Sequence, residues 1–298
     1  MQRFRHAQRT RLQPHPLEMG KAEHSPTPKE LDCEFPTPVI IGARSTKDGL
    51  VTTTKRAPVH DRHGWRQWLG GFFSSSVGLK WLMALTGIGL LLYVLAHLIG
   101  NLKIFLGTDH LTGEYQIDLY SEALRTLGGH IVPEGSVLLL FRIGLASLFI
   151  LHIGSSVVLT RRNWAARGKG RYTHKRQYNE ANYASRTMRW SGTIVLLFLL
   201  FHLADLTLGW ANPDFVHGAV HDNMITSMSQ PIVALFYMAA NIALAMHIYH
   251  GAWSLFQSIG TVNPKYNDLR RYFAVAFAAV ILIGNLSIPL AIWAGWVS

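Results

Sequence analysis

The chain has one cysteine, Cys33, in 298 residues. It can form no internal disulfide, and neither a Cys-x-x-Cys-His attachment nor a cysteine-held iron–sulfur cluster can be built from it. It has no Gly-x-Gly-x-x-Gly fingerprint, which leaves no sign of a flavin- or dinucleotide-binding domain. Acidic residues are scarce: 17 Asp and Glu stand against 28 Lys and Arg, for a net charge of +11. No RNA- or DNA-binding motif accompanies that charge, so nucleic acid is not the expected partner. No cleavable leader is visible either. The first long apolar run begins near Leu79, too deep in the chain and too long for a signal h-region.

What the chain does have is apolar length. Residues 1–73 are polar and basic and read as an N-terminal cytoplasmic extension, whereas residues 74–298 alternate long apolar runs with charged loops. Runs of about 20 apolar residues are the length of a membrane-spanning helix. Five are expected, at Leu79–Leu106, Gly135–Thr160, Trp190–Trp210, Pro231–Gln257 and Tyr272–Val297. Trp81, Trp190, Trp210 and Trp296 near span ends fit an interfacial aromatic belt. Pro231 suits a first helical turn, and Pro289 predicts a kink in the fifth span.

The loops set an orientation. Between spans two and three, nine Lys and Arg face one acid, Glu180. Lys265, Arg270 and Arg271 follow span four, and Lys55, Arg56, Arg62, Arg66 and Lys80 precede or open span one. The first loop carries Asp109, Glu114, Asp118, Glu122 and Glu134, and the third carries Asp214 and Asp222. Basic and acidic segments alternate, which predicts a cytoplasmic N-terminus and an outer C-terminus in a cell's inner (plasma) membrane.

Ionisable side chains at membrane depth are costly and mark functional sites. Spans one to four contain His97, His152, His202, His247 and His250, and span five contains none. His97 lies nine residues before Leu106, His152 nine before Arg161, His202 ten before Asn212 and His247 ten before Gln257, each about 15 Å from the end its helix exits through at 1.5 Å per residue. Successive helices run in opposite directions. His97 and His202 therefore share the outer half, and His152 and His247 the inner half. Two imidazoles facing each other at one level from different helices form the ligand set of a bis-histidine haem, and helix bundles build such sites from inward-facing side chains. The expectation is an all-α integral membrane protein in which helices one to four enclose two stacked haems b, with the fifth helix peripheral. A zinc site is disfavoured, because no His-Glu-x-x-His is present and no carboxylate or thiol joins His247 and His250 on their face. A proton-coupled transporter is disfavoured because no internal repeat and no Gly/Pro-broken helix pair is visible.

Several short motifs lie in register with these spans. They are Ser75-Ser76-Val77-Gly78-Leu79-Lys80, Met83-Ala84-Leu85-Thr86-Gly87 and His97-Leu98-Ile99-Gly100-Asn101. Arg142-Ile143-Gly144-Leu145 follows, with His152 ten residues on, then Leu159-Thr160-Arg161-Arg162-Asn163 and Ala165-Ala166-Arg167. His202-Leu203-Ala204-Asp205, and His247 with Gly251 and Trp253, complete the set. Together, from about residue 74 to the end, they resemble the five-helix di-haem cytochrome b subunit of succinate:quinone oxidoreductases and fumarate reductases. The resemblance implies haem pairing of the first helix with the third and the second with the fourth, as depth does. Its His-x-x-x-Gly match selects His247, leaving His250 as runner-up.

The resemblance also implies a role in the respiratory chain and the tricarboxylic acid cycle. Flavoprotein and iron–sulfur subunits on the cytoplasmic side would oxidise succinate. Electrons would pass through the inner and then the outer haem to a quinone, usually menaquinone in this group, and a higher oligomer is compatible with it. No dicarboxylate active site is expected on this chain. Arg142, Arg186, Arg189 and Lys80 are candidates for the haem propionates, and Asp118, Tyr120 and Glu122 for quinone and proton handling, with Glu122 foremost. The segment His63–Lys80 and the second loop form a candidate docking face. The competing readings are a haem-free membrane anchor for soluble subunits and the haem b subunit of a formate dehydrogenase or hydrogenase.

Overall fold

The computed structural model describes residues 41–46, 49–54, 65–166, 179–261 and 263–298. The extension read at residues 1–73 falls largely outside these. Within its described part, Ile41–Thr46 (β1) and Gly49–Thr54 (β2) pair antiparallel with Ile41 opposite Thr54. This hairpin belongs to a unit that ends at Arg62, and the membrane domain is a second unit, His63–Ser298.

The membrane domain is helical. Trp65–Ser74 (α1) leads into Ser76–Asn101 (α2), which tightens into a 3₁₀ turn, Leu102–Leu106. Gln116–Thr126 (α3) and Ser136–Ala166 (α4) follow. Then come Asn179–Leu206 (α5), Val220–Ser229 (α6), Pro231–Ser258 (α7) and Asn267–Trp293 (α8). Five of these are long and apolar enough to cross a membrane: Ser76–Leu106, Ser136–Ala166, Thr187–Leu206, Pro231–Ser258 and Pro264–Trp293. The protein is thus a multi-pass helical membrane protein with the five expected spans.

The boundaries differ from the hydropathic ones for a physical reason. α4 runs six residues past Thr160 and α5 begins at Asn179, because a helix keeps satisfying its own backbone after its side chains become polar. Hydropathy marks where hydrocarbon ends, and the helix continues beyond it. The fifth span starts earlier and stops earlier than expected, at Pro264 and Trp293, and carries Pro289 inside α8. The short helices α3 and α6 lie between spans in segments read from sequence only as loops.

The corner between α1 and α2 is built on backbone contact. Ser75 caps α2 by accepting from the Gly78 N–H at 3.0 Å and donates to the Phe72 carbonyl at 2.6 Å. A Cβ on Gly78 would stand 1.9 Å from that carbonyl oxygen. Arg162, at the far end of α4, donates to the Ser74 carbonyl at 2.7 Å and so ties the corner to the second loop.

α2 packs on α4, α5 packs on α7, and the two pairs meet along α2 and α7. α8 lies along α7 and touches α2. The contacts use small residues, as membrane helices must where lipid removes the hydrophobic incentive to associate. Ala234, Ala240, Ala243, Ala245 and Ala252 of α7 are buried, as are Ala274 and Ala278 of α8. Gly284 of α8 lets Leu98 of α2 approach so closely that a Cβ would sit 2.7 Å from its Cδ1. Just beyond the C-terminal end of α2, Ile104, Ile117, Met224, Met228, Tyr237, Ile288 and Ile292 form a core shared with α3, α6, α7 and α8. Burial is uneven. Of the apolar window in each span, 39% is buried for α7 and 33% for α8, but 0% for α4 and 6% for α5. α4 and α5 therefore present one side to lipid and the other to an internal space.

Gly78→Val is expected to drive a side chain into the Phe72 carbonyl and lower stability by about 1–3 kcal/mol, as overpacking does. Thermal unfolding of the detergent-solubilised protein checks this; an unchanged midpoint would contradict it.

Candidate functional site

The internal space is a cavity of about 870 Å³, toward the upper end of the range for ligand pockets. Its walls are mainly apolar side chains of α2, α4, α5 and α7, closed on one side by Asn285, Ile288 and Pro289 of α8. The fifth spanning helix thus carries no histidine but forms part of the wall, a closer involvement than its expected peripheral place. His97, His152, His202 and His247 all line the cavity.

The four imidazoles stand in two pairs. The ring centroids of His97 and His202 are 5.8 Å apart with planes at 82°. Those of His152 and His247 are 6.5 Å apart at 73°. A metal–imidazole bond is about 2 Å, so coaxial imidazoles that share one metal ion stand with centroids about 6 Å apart. Among the described residues no group of three or more His, Cys, Asp or Glu side chains converges. The donor sets are pairs.

Which nitrogen faces the partner follows from the hydrogen bonds on the other one. His152 Nδ1 lies 3.1 Å from the Met83 carbonyl oxygen, which can only accept, so Nδ1 carries the proton. The same nitrogen is 3.2 Å from Thr86 Oγ1, whose own proton is directed to the Leu82 carbonyl at 2.7 Å. His247 repeats the arrangement. Its Nδ1 is 3.3 Å from Ser191 Oγ, which donates to the Thr187 carbonyl at 2.7 Å, and the Met188 carbonyl bonds it as well. His202 Nδ1 is 3.4 Å from Tyr237 Oη, and that hydroxyl donates to Asp205 Oδ2 at 2.7 Å. In all three rings Nδ1–H is directed at an oxygen acceptor, which leaves Nε2 with its lone pair free for a ligand bond.

This support comes from a repeated pattern. Met83-x-x-Thr86-Gly87 in α2 precedes His97-Leu98, and Met188-x-x-Ser191-Gly192 in α5 precedes His202-Leu203 at the same spacing. Each glycine makes room for an imidazole from the neighbouring helix. A Cβ on Gly87 would meet His152 Cε1 at 3.5 Å, and one on Gly192 would meet His247 Cε1 at 3.2 Å. Each pattern therefore holds one pair's ring at its start and supplies the other pair's ring eleven residues on, about 16 Å along the helix. The two pairs lie in layers that far apart. The sequence contains this local repeat, Met-x-x-[Ser/Thr]-Gly-x₉-His-Leu, although a search for repeated spans passes over it.

His250 does not line the cavity; its ring lies 5.0 Å from that of Tyr249. Arg189 lines the end of the cavity near α1, with its guanidinium over the Trp164 ring at 6.0 Å. Arg161 lines the same end and joins the candidate cations. Lys80 is exposed and Arg142 is exposed on the outer surface of α4, both away from the lining. The side chain of Arg186 lies outside the described residues. At the opposite end, Asp118 Oδ1 accepts the backbone N–H of His221 at 2.9 Å and so satisfies a free donor in the first turn of α6. Glu122 pairs with Arg125 at 3.1 Å, and Tyr120 packs on Gly100 with Lys103 Nζ 5.4 Å from its ring centre. Asp205, three residues after His202 in its motif, is buried at 2% exposure, with Ser227 Oγ 2.6 Å away.

Residues 165–284 match the family described as succinate dehydrogenase/fumarate reductase transmembrane subunit. The matched stretch holds α5, α6, α7 and most of α8, with His202 and His247 among its residues. No curated protein and no solved structure matches the chain.

In ¹⁵N-histidine-labelled protein, His152, His202 and His247 are expected to show the Nδ1-protonated pattern of nitrogen shifts. Thr86→Val should alter His152 alone and Ser191→Ala should alter His247 alone. An Nε2-protonated pattern at any of the three would contradict the hydrogen-bond assignment.

Proposed function

We propose, from the match of residues 165–284 to the transmembrane subunit family of succinate dehydrogenase and fumarate reductase, that this chain is the membrane-anchor cytochrome b subunit of a succinate:quinone oxidoreductase. The single observation that carries the reading is the two layers of paired imidazoles on the cavity wall, with ring centroids 5.8 and 6.5 Å apart. Two haems b, one held by His97 and His202 and one by His152 and His247, would supply a one-electron relay from soluble flavoprotein and iron–sulfur partners to a quinone, with menaquinone the expected acceptor.

The chain's own residues do the rest. Thr86, Met83 and Ser191 hold the rings of one layer, and Tyr237 holds His202 in the other. The apolar walls keep water from the ligand nitrogens. Arg161 and Arg189, at the cavity end near α1, suit carboxylate groups entering from that side. The positive charge of the second loop and of the segment before α2 supports a cytoplasmic position for that end, with these segments as the proposed docking face for the soluble subunits. At the other end, Asp118, Tyr120 and Glu122 of α3 are the groups proposed to handle quinone and its protons. Glu122 is foremost, with a carboxylate that is 61% exposed. Succinate chemistry belongs to the partner chains.

Purification with haem quantitation tests the reading. Two haems b per chain and co-purification of a flavoprotein are expected; a preparation with no reduced-minus-oxidised b-type spectrum would leave a haem-free anchor. His247→Ala should remove one haem of the two and one redox transition, and a protein that kept both would return the assignment to His250. Glu122→Gln should slow quinone reduction on the order of 100-fold, the usual contribution of a general acid–base group. Unaltered turnover would remove Glu122 from that role.

A further inference from the structure

The two imidazole pairs differ in what stands behind them. In the His152/His247 layer, Nδ1 protons go to neutral groups: the carbonyls of Met83 and Met188 and the hydroxyls of Thr86 and Ser191. In the other layer, the phenol bonded to His202 passes its own proton to a carboxyl oxygen. Asp205 Oδ2 receives two donors, Tyr237 Oη at 2.7 Å and Ser227 Oγ at 2.6 Å. With two hydroxyls converging on it, Oδ2 is an acceptor and carries no proton. Asp205 lies on α5, Ser227 on α6 and Tyr237 on α7, so three helices meet on this group.

The local repeat shows that this is an addition and not part of the shared design. Three residues after His202 stands Asp205, and three residues after His97 stands Gly100, whose side is filled by the Tyr120 ring. A carboxylate within the membrane domain is retained only against a cost, which argues for a specific task. With its only proton directed to Asp205, the Tyr237 hydroxyl can only accept from His202. Asp205 therefore fixes the His202 tautomer without touching the ring.

We propose that Asp205 and Tyr237 are positioning residues that act as an Asp–Tyr–His relay on His202 and set the ligand strength of the His97/His202 site apart from that of the His152/His247 site. The inference rests on the haem reading above. An acceptor behind a ligating imidazole raises its basicity and favours the more positive metal state, so the relay lowers the reduction potential of its own site alone.

The test is potentiometric titration of the b-type absorbance in the purified complex, with the waves assigned by His202→Ala and His247→Ala. Asp205→Asn keeps an oxygen acceptor and removes the charge. It is expected to raise the wave of the His97/His202 site by about a tenfold change in its reduction equilibrium, about 59 mV for one electron, and to leave the other wave in place. Tyr237→Phe, which keeps the carboxyl group and its Ser227 bond, should move the same wave in the same direction and carries the test if Asp205→Asn does not assemble. Asp205→Glu should restore the wave toward its original position. Two waves unmoved in both variants, or both waves moved equally, would overturn the relay while leaving the haem reading intact. A wild-type complex without any b-type spectrum would overturn both.

Discussion

An imidazole carried into a membrane has two nitrogens to satisfy and no water to satisfy them. In this protein one of them, Nδ1, is bonded by a neighbouring helix in three of the four cavity histidines. The other is thereby left as an acceptor, and each ring has a second imidazole 5.8 or 6.5 Å away between centroids. Much of the architecture follows. The helices that supply the Nδ1 acceptors must lie beside those that carry the rings, which is why α2 pairs with α4 and α5 with α7. The glycine after each supporting hydroxyl residue is needed because the ring passes where a side chain would stand. The centre cannot collapse, since the rings must face each other across an open space.

The cavity imposes a second requirement on the packing around it. The apolar windows of α4 and α5 contain few buried residues, so close-packed burial is concentrated along α7 and α8 and at the end opposite α1, which α3 and α6 help to close. Alanines along α7 and α8 bring their backbones close where lipid offers no hydrophobic incentive to associate. The short helices are not decoration on the loops. Asp118 of α3 satisfies a backbone donor of α6, and Met224 and Met228 of α6 reach the cavity wall. The end that holds His97 and His202 is thus also the end most enclosed by protein, and it contains the buried carboxyl of Asp205.

His247 and His250 are three residues apart, about 60° around a helix, and periodicity leaves both available. Packing turns His247 toward His152 and leaves His250 beside Tyr249. Arg142 looked like an intramembrane cation in search of an anion, yet its side of α4 faces outward. Arg161, read in the sequence as second-loop charge and as part of a short motif, lies on the cavity wall, because α4 continues past the apolar run. α3 and α6 were not legible because short helices outside the hydrocarbon carry neither the length nor the uniform hydropathy that marks a span.

The sequence by itself determined the five spans, the alternation of charge across them and the depth of each histidine. Hydrocarbon thickness demands runs of a set length, and helical rise converts residue count into level. It also held the local repeat that supports the rings. Tertiary structure alone decided which nitrogen of each ring is free, which histidine of the α7 pair faces inward, and that Asp205 stands behind His202 with Tyr237 between them. Those outcomes depend on the rotation of each helix about its axis. Rotation is set by the side chains of neighbouring helices, and no single run of sequence contains them.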